Sequence, residues 1–225
     1  MPTVLITGAS RGLGLEFARS FATDGWTVHA ACRRPAKATA LAELAPQVER
    51  HRLDVTDALQ VAALARRLGD EPIDLLLNNA GIYGPKTAFG ESDYESWLGI
   101  FNVNTLGPMR MTEAFVEHVA RSERRLIVNV TSRLGSIGEN SGGRFAYRSS
   151  KAALNMIGNS LAIELKPRGI TVLMVHPGWV QTDMGGPSAS ITPEQSIAGL
   201  RKVFDRATPA DSGRFFDWKG EEVRW

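Results

Sequence analysis

A glycine-rich turn between a strand-like and a helix-like segment constrains the fold of this chain more than any other feature; it reads Thr7-Gly8-Ala9-Ser10-Arg11-Gly12-Leu13-Gly14. Residues 3–6 before it are apolar and partly β-branched, which predicts a buried strand. After it, apolar residues recur at helical spacing over 13–21, which predicts a helix. A helix that starts directly after such a turn presents free N–H groups and a positive dipole end, so the junction predicts an anion site.

Each glycine of the turn suits a dinucleotide. Gly8 permits the tight turn, Gly12 lets the backbone approach a pyrophosphate, and Gly14 lets helix and strand pack closely. The spacing is G-x-x-x-G-x-G, which differs from the G-x-G-x-x-G fingerprint of many dinucleotide sites. On these residues alone, a glycine turn without a ligand remains an alternative.

Strand-like and helix-like segments alternate along the whole chain. Strands are predicted at 3–6, 26–32, 48–53, 72–77, 125–131, 170–175 and 213–218. Helices are predicted at 15–22, 35–45, 58–68, 92–121, 147–166 and 193–206. This alternation predicts an α/β fold, a doubly wound, mostly parallel seven-stranded sheet with helices on both faces. We find no repeats and no second domain, so residues 1–225 are expected to form one domain.

Charge and composition exclude several classes of partner. The formal net charge is only +2, so no nucleic-acid partner is implied. Apolar runs are too short for a transmembrane helix, and the first strand begins too early for a signal peptide. Cys32 is the only cysteine, which excludes an internal disulfide and favours the cytoplasm. The four histidines are dispersed along the chain, so no metal site is expected.

The end of the second predicted strand bears on the choice of cofactor. An acidic residue there usually holds the ribose 2′-hydroxyl of NAD, but the chain has Cys32, Arg33 and Arg34. A guanidinium can bind a 2′-phosphate bidentately, and Arg11 in the glycine turn can reach the same phosphate. These residues favour NADP over NAD, with ordinary surface charge as the alternative for Arg33.

Polar residues follow several other strands. Asp54 can accept a hydrogen bond from an adenine amino group or can equally cap its strand. Asn78 and Asn79 can tie neighbouring strands together and line a cofactor cleft. Gly8, Asn79, Ser132 and Pro177 all follow strands, and ligands of doubly wound sheets bind at the carboxyl ends of the strands. These positions are therefore expected to meet at one site.

Two further features point to catalysis. Asn104 lies inside a long predicted helix, where a polar residue is unfavourable unless its side chain is bonded. Tyr147 and Lys151 stand at i and i+4, so they share one face of a helix.

Together these residues resemble the short-chain dehydrogenases/reductases over nearly the whole chain. The motifs that carry the resemblance occur in the family's order, and they are Thr7–Gly14, Asn78-Asn79-Ala80-Gly81, Ser132, Tyr147-x-x-x-Lys151 and Pro177-Gly178. The segment from His176 to Gly186 and the ending from Gly213 to Trp225 are similar to a narrower subgroup, the C-factor-like and sniffer-like carbonyl reductases. The resemblance implies a Rossmann fold and an NADP(H)-dependent oxidoreductase that acts on a carbonyl or a secondary alcohol.

The resemblance implies a catalytic tetrad of Asn104, Ser132, Tyr147 and Lys151. Tyr147 would donate the proton that reduction of a carbonyl requires. Lys151 and an oxidised nicotinamide would both favour the phenolate, so the pKa of Tyr147 is expected to fall below about 10. Ser132 would polarise the carbonyl oxygen. Asn104 would hold a water between Lys151 and solvent, and Lys151 would also bond the nicotinamide ribose.

The resemblance also implies a set of residues that bind the cofactor. They are Gly8, Ser10, Arg11, Gly12, Leu13, Gly14, Arg33, Asp54, Val55, Asn79, Ala80, Gly81, Tyr147, Lys151, Pro177, Gly178, Val180 and Thr182. The long helices at 92–121 and 145–166 would pair two or four copies, so a homodimer or homotetramer is expected.

The chain departs from the family in two loops near the expected substrate mouth. The segment between Ser132 and Tyr147 is longer than usual, with the extra residues at 139–143, so Ser136 is a rival for the catalytic serine. The loop at about 179–191 is short, which predicts an open, permissive substrate site. A cofactor-binding signalling or regulatory protein with little turnover is the alternative to an enzyme.

Overall fold

The predicted strands form a single parallel sheet. The computed structural model describes residues 1–44 and 46–225, and within them the sheet has the order β3-β2-β1-β4-β5-β6-β7 with all neighbours parallel. The strands are β1 (Thr3–Thr7), β2 (Thr27–Cys32), β3 (Val48–Arg52), β4 (Leu75–Asn78), β5 (Leu126–Val130), β6 (Thr171–His176) and β7 (Phe215–Asp217). This confirms the doubly wound sheet expected from the alternating pattern.

Helices cover both faces of the sheet. They are α1 (Gly12–Thr23), α2 (Thr39–Ala42), α3 (Ala58–Leu68), α4 (Tyr94–Phe101), α5 (Gly107–Arg121), α6 (Phe145–Glu164) and α7 (Pro193–Arg206). The single helix expected at 35–45 is instead a 3₁₀ turn, Pro35–Lys37, followed by the one-turn α2; its last expected residue, Ala45, lies outside the described residues. No helix in 1–44 or 46–225 is long and apolar enough to cross a membrane.

The helix expected at 92–121 is divided in two. Asp93, not Ser92, is the N-cap of α4, because its carboxylate accepts from the Ser96 backbone N–H. Between α4 and α5 the chain makes a π-helical turn at Asn102–Leu106, and such turns occur frequently at functional sites. The turn contains the polar residues that the helical pattern could not accommodate.

Two apolar cores sandwich the sheet because successive strand residues point to opposite faces. Val4 and Ile6 pack with Phe17 of α1 and Phe204 of α7 on one face. Leu5 packs on the other face with residues of α3, α5 and α6. Both faces are therefore buried, and the polar chemistry is confined to the strand ends.

The parallel arrangement gathers the carboxyl ends of the strands at one edge. β1 ends at Thr7, β4 at Asn78, β5 at Val130 and β6 at His176. The positions that sequence reasoning marked after these strands therefore meet at this edge, as expected.

Candidate active site

The glycine turn between β1 and α1 is free of internal caps. Arg11 is the N-cap of α1, its backbone is extended and its side chain caps no N–H group. Gly12 follows with a φ of 54°, and a Cβ there would lie 3.5 Å from Thr182 Cγ2. The first N–H groups of α1 are thus available to an anion, and Thr182 borders the same place.

Close packing explains the other two glycines of the turn. Gly8 has a φ of 68°, and a Cβ there would lie 2.9 Å from Ala80 Cα. At Gly14 a Cβ would collide with the Gly8 carbonyl and would lie 2.7 Å from Asn79 Nδ2. Any side chain at either position would force the turn away from the β4 end.

The carboxamides of Asn78 and Asn79, at the end of β4, tie strands together, which is one of the two roles expected of them. Asn79 Nδ2 donates to the Thr7 carbonyl at 2.9 Å, and Thr7 Oγ1 accepts from the Asn79 and Ala80 N–H groups at 3.0 Å each. Asn78 Nδ2 donates to Asn129 Oδ1 at 2.9 Å. These bonds fix the glycine turn to the end of β4.

Asp54 shows the capping role that was its alternative. Its Oδ1 accepts from the Thr56 N–H at 3.0 Å and from Thr56 Oγ1 at 2.7 Å, and Val55 after it is buried. One carboxylate oxygen is therefore engaged in a local turn.

Basic side chains surround the outer end of β2. Arg33 and Arg34 are exposed, and Cys32 before them is buried with a pKa that burial raises. Arg11 is exposed as well, and its Nη1 lies 2.7 Å from Oδ2 of Asp183 in the 179–191 loop. Sequence reasoning did not foresee this ion pair, since the two residues are far apart along the chain.

The π-helical turn buries Asn104 completely. Its Nδ2 donates to the Ile82 carbonyl at 2.9 Å and to Ser150 Oγ at 3.0 Å, and its Oδ1 accepts from the Ile82 N–H at 2.8 Å. The carboxamide thus joins the loop after β4 to α6, directly beside Lys151.

Ser132, Tyr147 and Lys151 meet between the end of β5 and the first turns of α6. The Ser132 hydroxyl lies near enough to the Tyr147 phenol to lower the phenol's pKa, and it accepts from the Leu134 N–H at 3.2 Å. Lys151 Nζ donates to the Val130 carbonyl at 2.8 Å and lies 5.9 Å from the centre of the Tyr147 ring. A Cβ on Gly81 would lie 3.6 Å from Lys151 Nζ, so the ammonium faces the β4 end.

Ser136 lies in a different arrangement. It is buried, and its Oγ accepts from the Glu139 N–H at 3.0 Å in a local turn. Of the two serines, the structure brings Ser132 to Tyr147.

Burial favours the neutral forms of Tyr147 and Lys151 and shifts their pKa values in opposite directions. Loss of solvation raises the pKa of Tyr147 to about 12, opposed by the Ser132 hydroxyl and assisted by Tyr83, whose ring lies 4.5 Å away, centre to centre. Burial lowers the pKa of Lys151 to about 8. For Tyr147, desolvation outweighs the effect of the Ser132 hydroxyl. The lower tyrosine pKa expected beside Lys151 and an oxidised nicotinamide stays a prediction.

Two loops frame the mouth above Tyr147. The first, 137–145, is exposed and is held by Arg148, whose Nη2 donates to Ser141 Oγ at 2.7 Å. The other begins after Pro177-Gly178. Val180 is buried and bridges Ile191, while Trp179 is 55% exposed with its Nε1 donating to the Gly185 carbonyl. Sequence reasoning missed Arg148; its one signal was a charge placed directly after Tyr147.

Comparisons with known proteins agree with this geometry. The family model for short chain dehydrogenase matches residues 2–191. C-signal from Myxococcus xanthus is 45% identical over 164 residues, which are 72% of this chain and 99% of that protein. NADPH-bound carbonyl reductase from chicken fatty liver superposes with a TM-score of 0.92 at 31% identity, covering 100% of this chain and 99% of that one. Carbonyl reductase Sniffer of D. melanogaster superposes with a TM-score of 0.94 at 29% identity, covering 100% of both chains.

Proposed function

This chain belongs to the short-chain dehydrogenase family of oxidoreductases, and from that premise we propose that it is an NADPH-dependent carbonyl reductase. One observation carries the proposal: Ser132, Tyr147 and Lys151 converge at the end of β5, on the edge of the sheet where the glycine turn lies. That convergence pairs a proton donor with a donor for a carbonyl oxygen. We further propose that residues 1–225 act as one cofactor-binding domain.

The glycine turn fits a nicotinamide dinucleotide. An uncapped helix start and a turn with no space for a Cβ at Gly8 or Gly14 suit the pyrophosphate. Ser10, Leu13 and Gly81 would line the same cleft. Pro177, Gly178, Val180 and Thr182 would border the nicotinamide end. Bound NADPH would supply the hydride that the carbonyl carbon receives.

The chain's own residues would deliver the proton. Tyr147 would give its phenolic proton to the carbonyl oxygen as the hydride arrives at carbon, and Ser132 would donate a hydrogen bond to the same oxygen. A raised pKa keeps the phenol protonated at neutral pH, which is the form that reduction needs. Lys151 would bond the ribose and return a proton to Tyr147, and Asn104 would position Lys151 through Ser150.

We propose NADP(H) over NAD(H) as the cofactor. No carboxylate follows β2 to bind a ribose 2′-hydroxyl, and the exposed Arg33 there can take a 2′-phosphate. The Arg11–Asp183 pair is exposed by more than 70% on both sides, and exposed pairs stabilise by at most about 1 kcal/mol. Arg11 can therefore exchange Asp183 for a phosphate at little cost.

The proposal includes a homodimer or homotetramer in the cytoplasm. Large apolar side chains are exposed on the helices expected to pair, among them Leu98 on α4 and Met156 and Ile163 on α6. The alternative, a signalling protein with little turnover, has less support. It rests on the match of C-signal to 72% of this chain. Against it, Ser132, Tyr147 and Lys151 are all present at the end of β5.

A substrate screen tests the proposal. We expect NADPH absorbance to fall with one or more aldehydes, ketones or quinones, and Tyr147→Phe to remove most turnover while NADPH still binds. The phenylalanine ring keeps the packing against Tyr83 and lacks only the hydroxyl group that carries the transferred proton. Turnover of Tyr147→Phe within tenfold of the parent would show that Tyr147 is not the acid. NADPH binding without turnover on any carbonyl would favour the signalling alternative.

A further inference from the structure

Two histidines that are distant along the chain meet between β2 and the edge strand β3. His29 and His51 are each 2% exposed, and His29 Nδ1 lies 2.9 Å from His51 Nε2. The dispersed histidines predicted no metal site, because spacing along the chain does not show that β2 pairs with β3. The cluster is separated from the candidate catalytic residues by two strands, because β1 and β4 lie between β2 and β5 in the sheet.

A carboxylate completes the cluster. The ligand atoms of His29, Glu49 and His51 all lie within 4.8 Å of one another, and Glu49 Oε2 is 3.7 Å from His29 Nδ1. The other oxygen of Glu49, Oε1, accepts from Arg67 Nη2 at 2.8 Å. Glu49 can therefore give one oxygen to a cation while the other keeps its bond to Arg67.

Glu71 orients the first imidazole from behind. Its Oε1 lies 3.0 Å from His29 Nε2, so His29 donates through Nε2 and leaves the Nδ1 lone pair facing His51. A carboxylate on the far nitrogen of a metal-binding histidine is the usual arrangement in protein metal sites, where it fixes the tautomer.

We infer that His29, His51 and Glu49 form a binding site for a divalent cation of the zinc class, with Glu71 as the positioning residue. Bonds to zinc from nitrogen are about 2.0–2.1 Å, so nitrogens 2.9 Å apart would subtend about 90°. A separation wider by about 0.4 Å gives the tetrahedral angle, which a rotation of either ring supplies. Three protein ligands leave a fourth position for water.

The surroundings of the cluster offer a cation access from solvent and a structural role. A cavity of about 460 Å³, lined in part by His51, Gln60 and Arg67, opens beside the cluster, and His51 Nδ1 has no hydrogen-bond partner there. A bound cation would link β3 to β2 across the sheet edge. Its role would be structural and independent of the proposed reductase activity.

Zinc binding by the purified full chain, after treatment with a chelator, tests the inference. Calorimetric titration with ZnCl₂ should show one site per chain, and Co²⁺ should show the d–d absorption of four-coordinate nitrogen and oxygen ligation. His51→Gln should weaken zinc binding at least tenfold, and Glu71→Gln should weaken it about 10- to 100-fold. His118→Gln, which removes a buried imidazole from α5, should bind zinc like the parent.

Zinc at a saturating concentration should also raise the Tm of the parent more than that of His51→Gln. Should His51→Gln fail to fold, Glu49→Gln replaces it, because Glu49 is half exposed and its loss leaves the core intact. Absence of saturable zinc binding, or equal affinity in the ligand variants, would show a hydrogen-bonded histidine pair only and would overturn the inference.

Discussion

Tyr147 and Lys151 illustrate how burial and catalysis oppose each other at single residues. Both side chains lose water, which favours their neutral forms. Burial raises the pKa of the Tyr147 phenol to about 12 and lowers the pKa of the Lys151 ammonium to about 8. A charged Lys151 at neutral pH is therefore retained at a cost in stability. The site keeps it because the proposed chemistry needs a cation beside the ribose and the phenol.

Removing that charge should stabilise the fold in a pH-dependent way. The pKa of Lys151 falls from 10.5 unfolded to about 8 folded, so below pH 8 the native state carries a penalty of about 3 kcal/mol. The penalty fades as pH rises from 8 to 10.5, because the unfolded chain then releases its proton as well. Lys151→Met should therefore raise the free energy of unfolding by more at pH 7 than at pH 10. The loss of the bond to the Val130 carbonyl reduces the gain at both pH values.

Urea denaturation of parent and Lys151→Met at both pH values measures this difference. Lys166→Met changes an exposed lysine two residues beyond the end of α6. It serves as the control and should show no such dependence on pH. A stability difference that does not change between pH 7 and pH 10 would contradict the burial argument.

The two serines offer a second test at residue scale. Ser132→Ala should lower kcat about 100-fold, the usual effect of removing one donor to an oxyanion, because Ser132 contacts Tyr147. Ser136→Ala should lower it much less, since its hydroxyl is used in a turn with Glu139. Kinetics of both variants on one substrate decide the matter, and the reversed order would assign the catalytic role to Ser136.

At the scale of elements, α6 carries both the chemistry and the loop above it. Arg148 follows Tyr147, is 9% exposed and reaches out of the helix to Ser141 Oγ and the Leu134 carbonyl. The long 137–145 loop is thereby tied to the same helix turn that presents the phenol. The loop is thus held in a fixed position relative to Tyr147.

Breaking that tie should change substrate affinity more than chemistry. Hydrogen bonds from a charged donor are worth about 1.5–3 kcal/mol, so Arg148→Met should raise KM about tenfold while kcat changes little. Arg168→Met, which removes an exposed ion pair to Glu117 beyond the other end of α6, is the control. A fall in kcat at constant KM would show that Arg148 supports Tyr147 and not the loop.

At the scale of the whole molecule, cofactor binding and stability are linked. A ligand that binds only the folded state at 100 times its Kd stabilises it by about 2.7 kcal/mol. At equal concentrations NADPH should therefore raise the Tm more than NADH, and Arg33→Asp should reverse that order. Lys202→Asp on α7 makes the same change in charge and should keep the preference for NADPH. Equal shifts with both cofactors would contradict the assignment of the 2′-phosphate to Arg33.

Local patterns predicted the sheet and its strand ends well, because apolar runs and caps act over a few residues. Helix α7 begins at Pro193, after a capping box of Thr192 and Gln195, and α3 begins at Ala58; both starts are where the sequence placed them. The π-helical turn at Asn102–Leu106, the Arg148 tie and the His29–His51 pair could not be predicted. Each depends on contacts between distant segments, and the pKa of Tyr147 depends on burial that only the assembled fold defines.

The bridge between Val180 and Ile191 has a consequence for how substrate range can be altered. Backbone bonds between Gln181 and Ile191 and between Ile191 and Trp179 close the loop at its base, and the core proper lies below them. The entropy of closing a loop grows slowly, by about 0.6 kcal/mol for each doubling of its length. Residues 183–190 therefore form an exchangeable segment. Longer or differently shaped segments can be grafted onto this base while the sheet keeps its thermodynamic stability and Thr182 keeps its place beside Gly12.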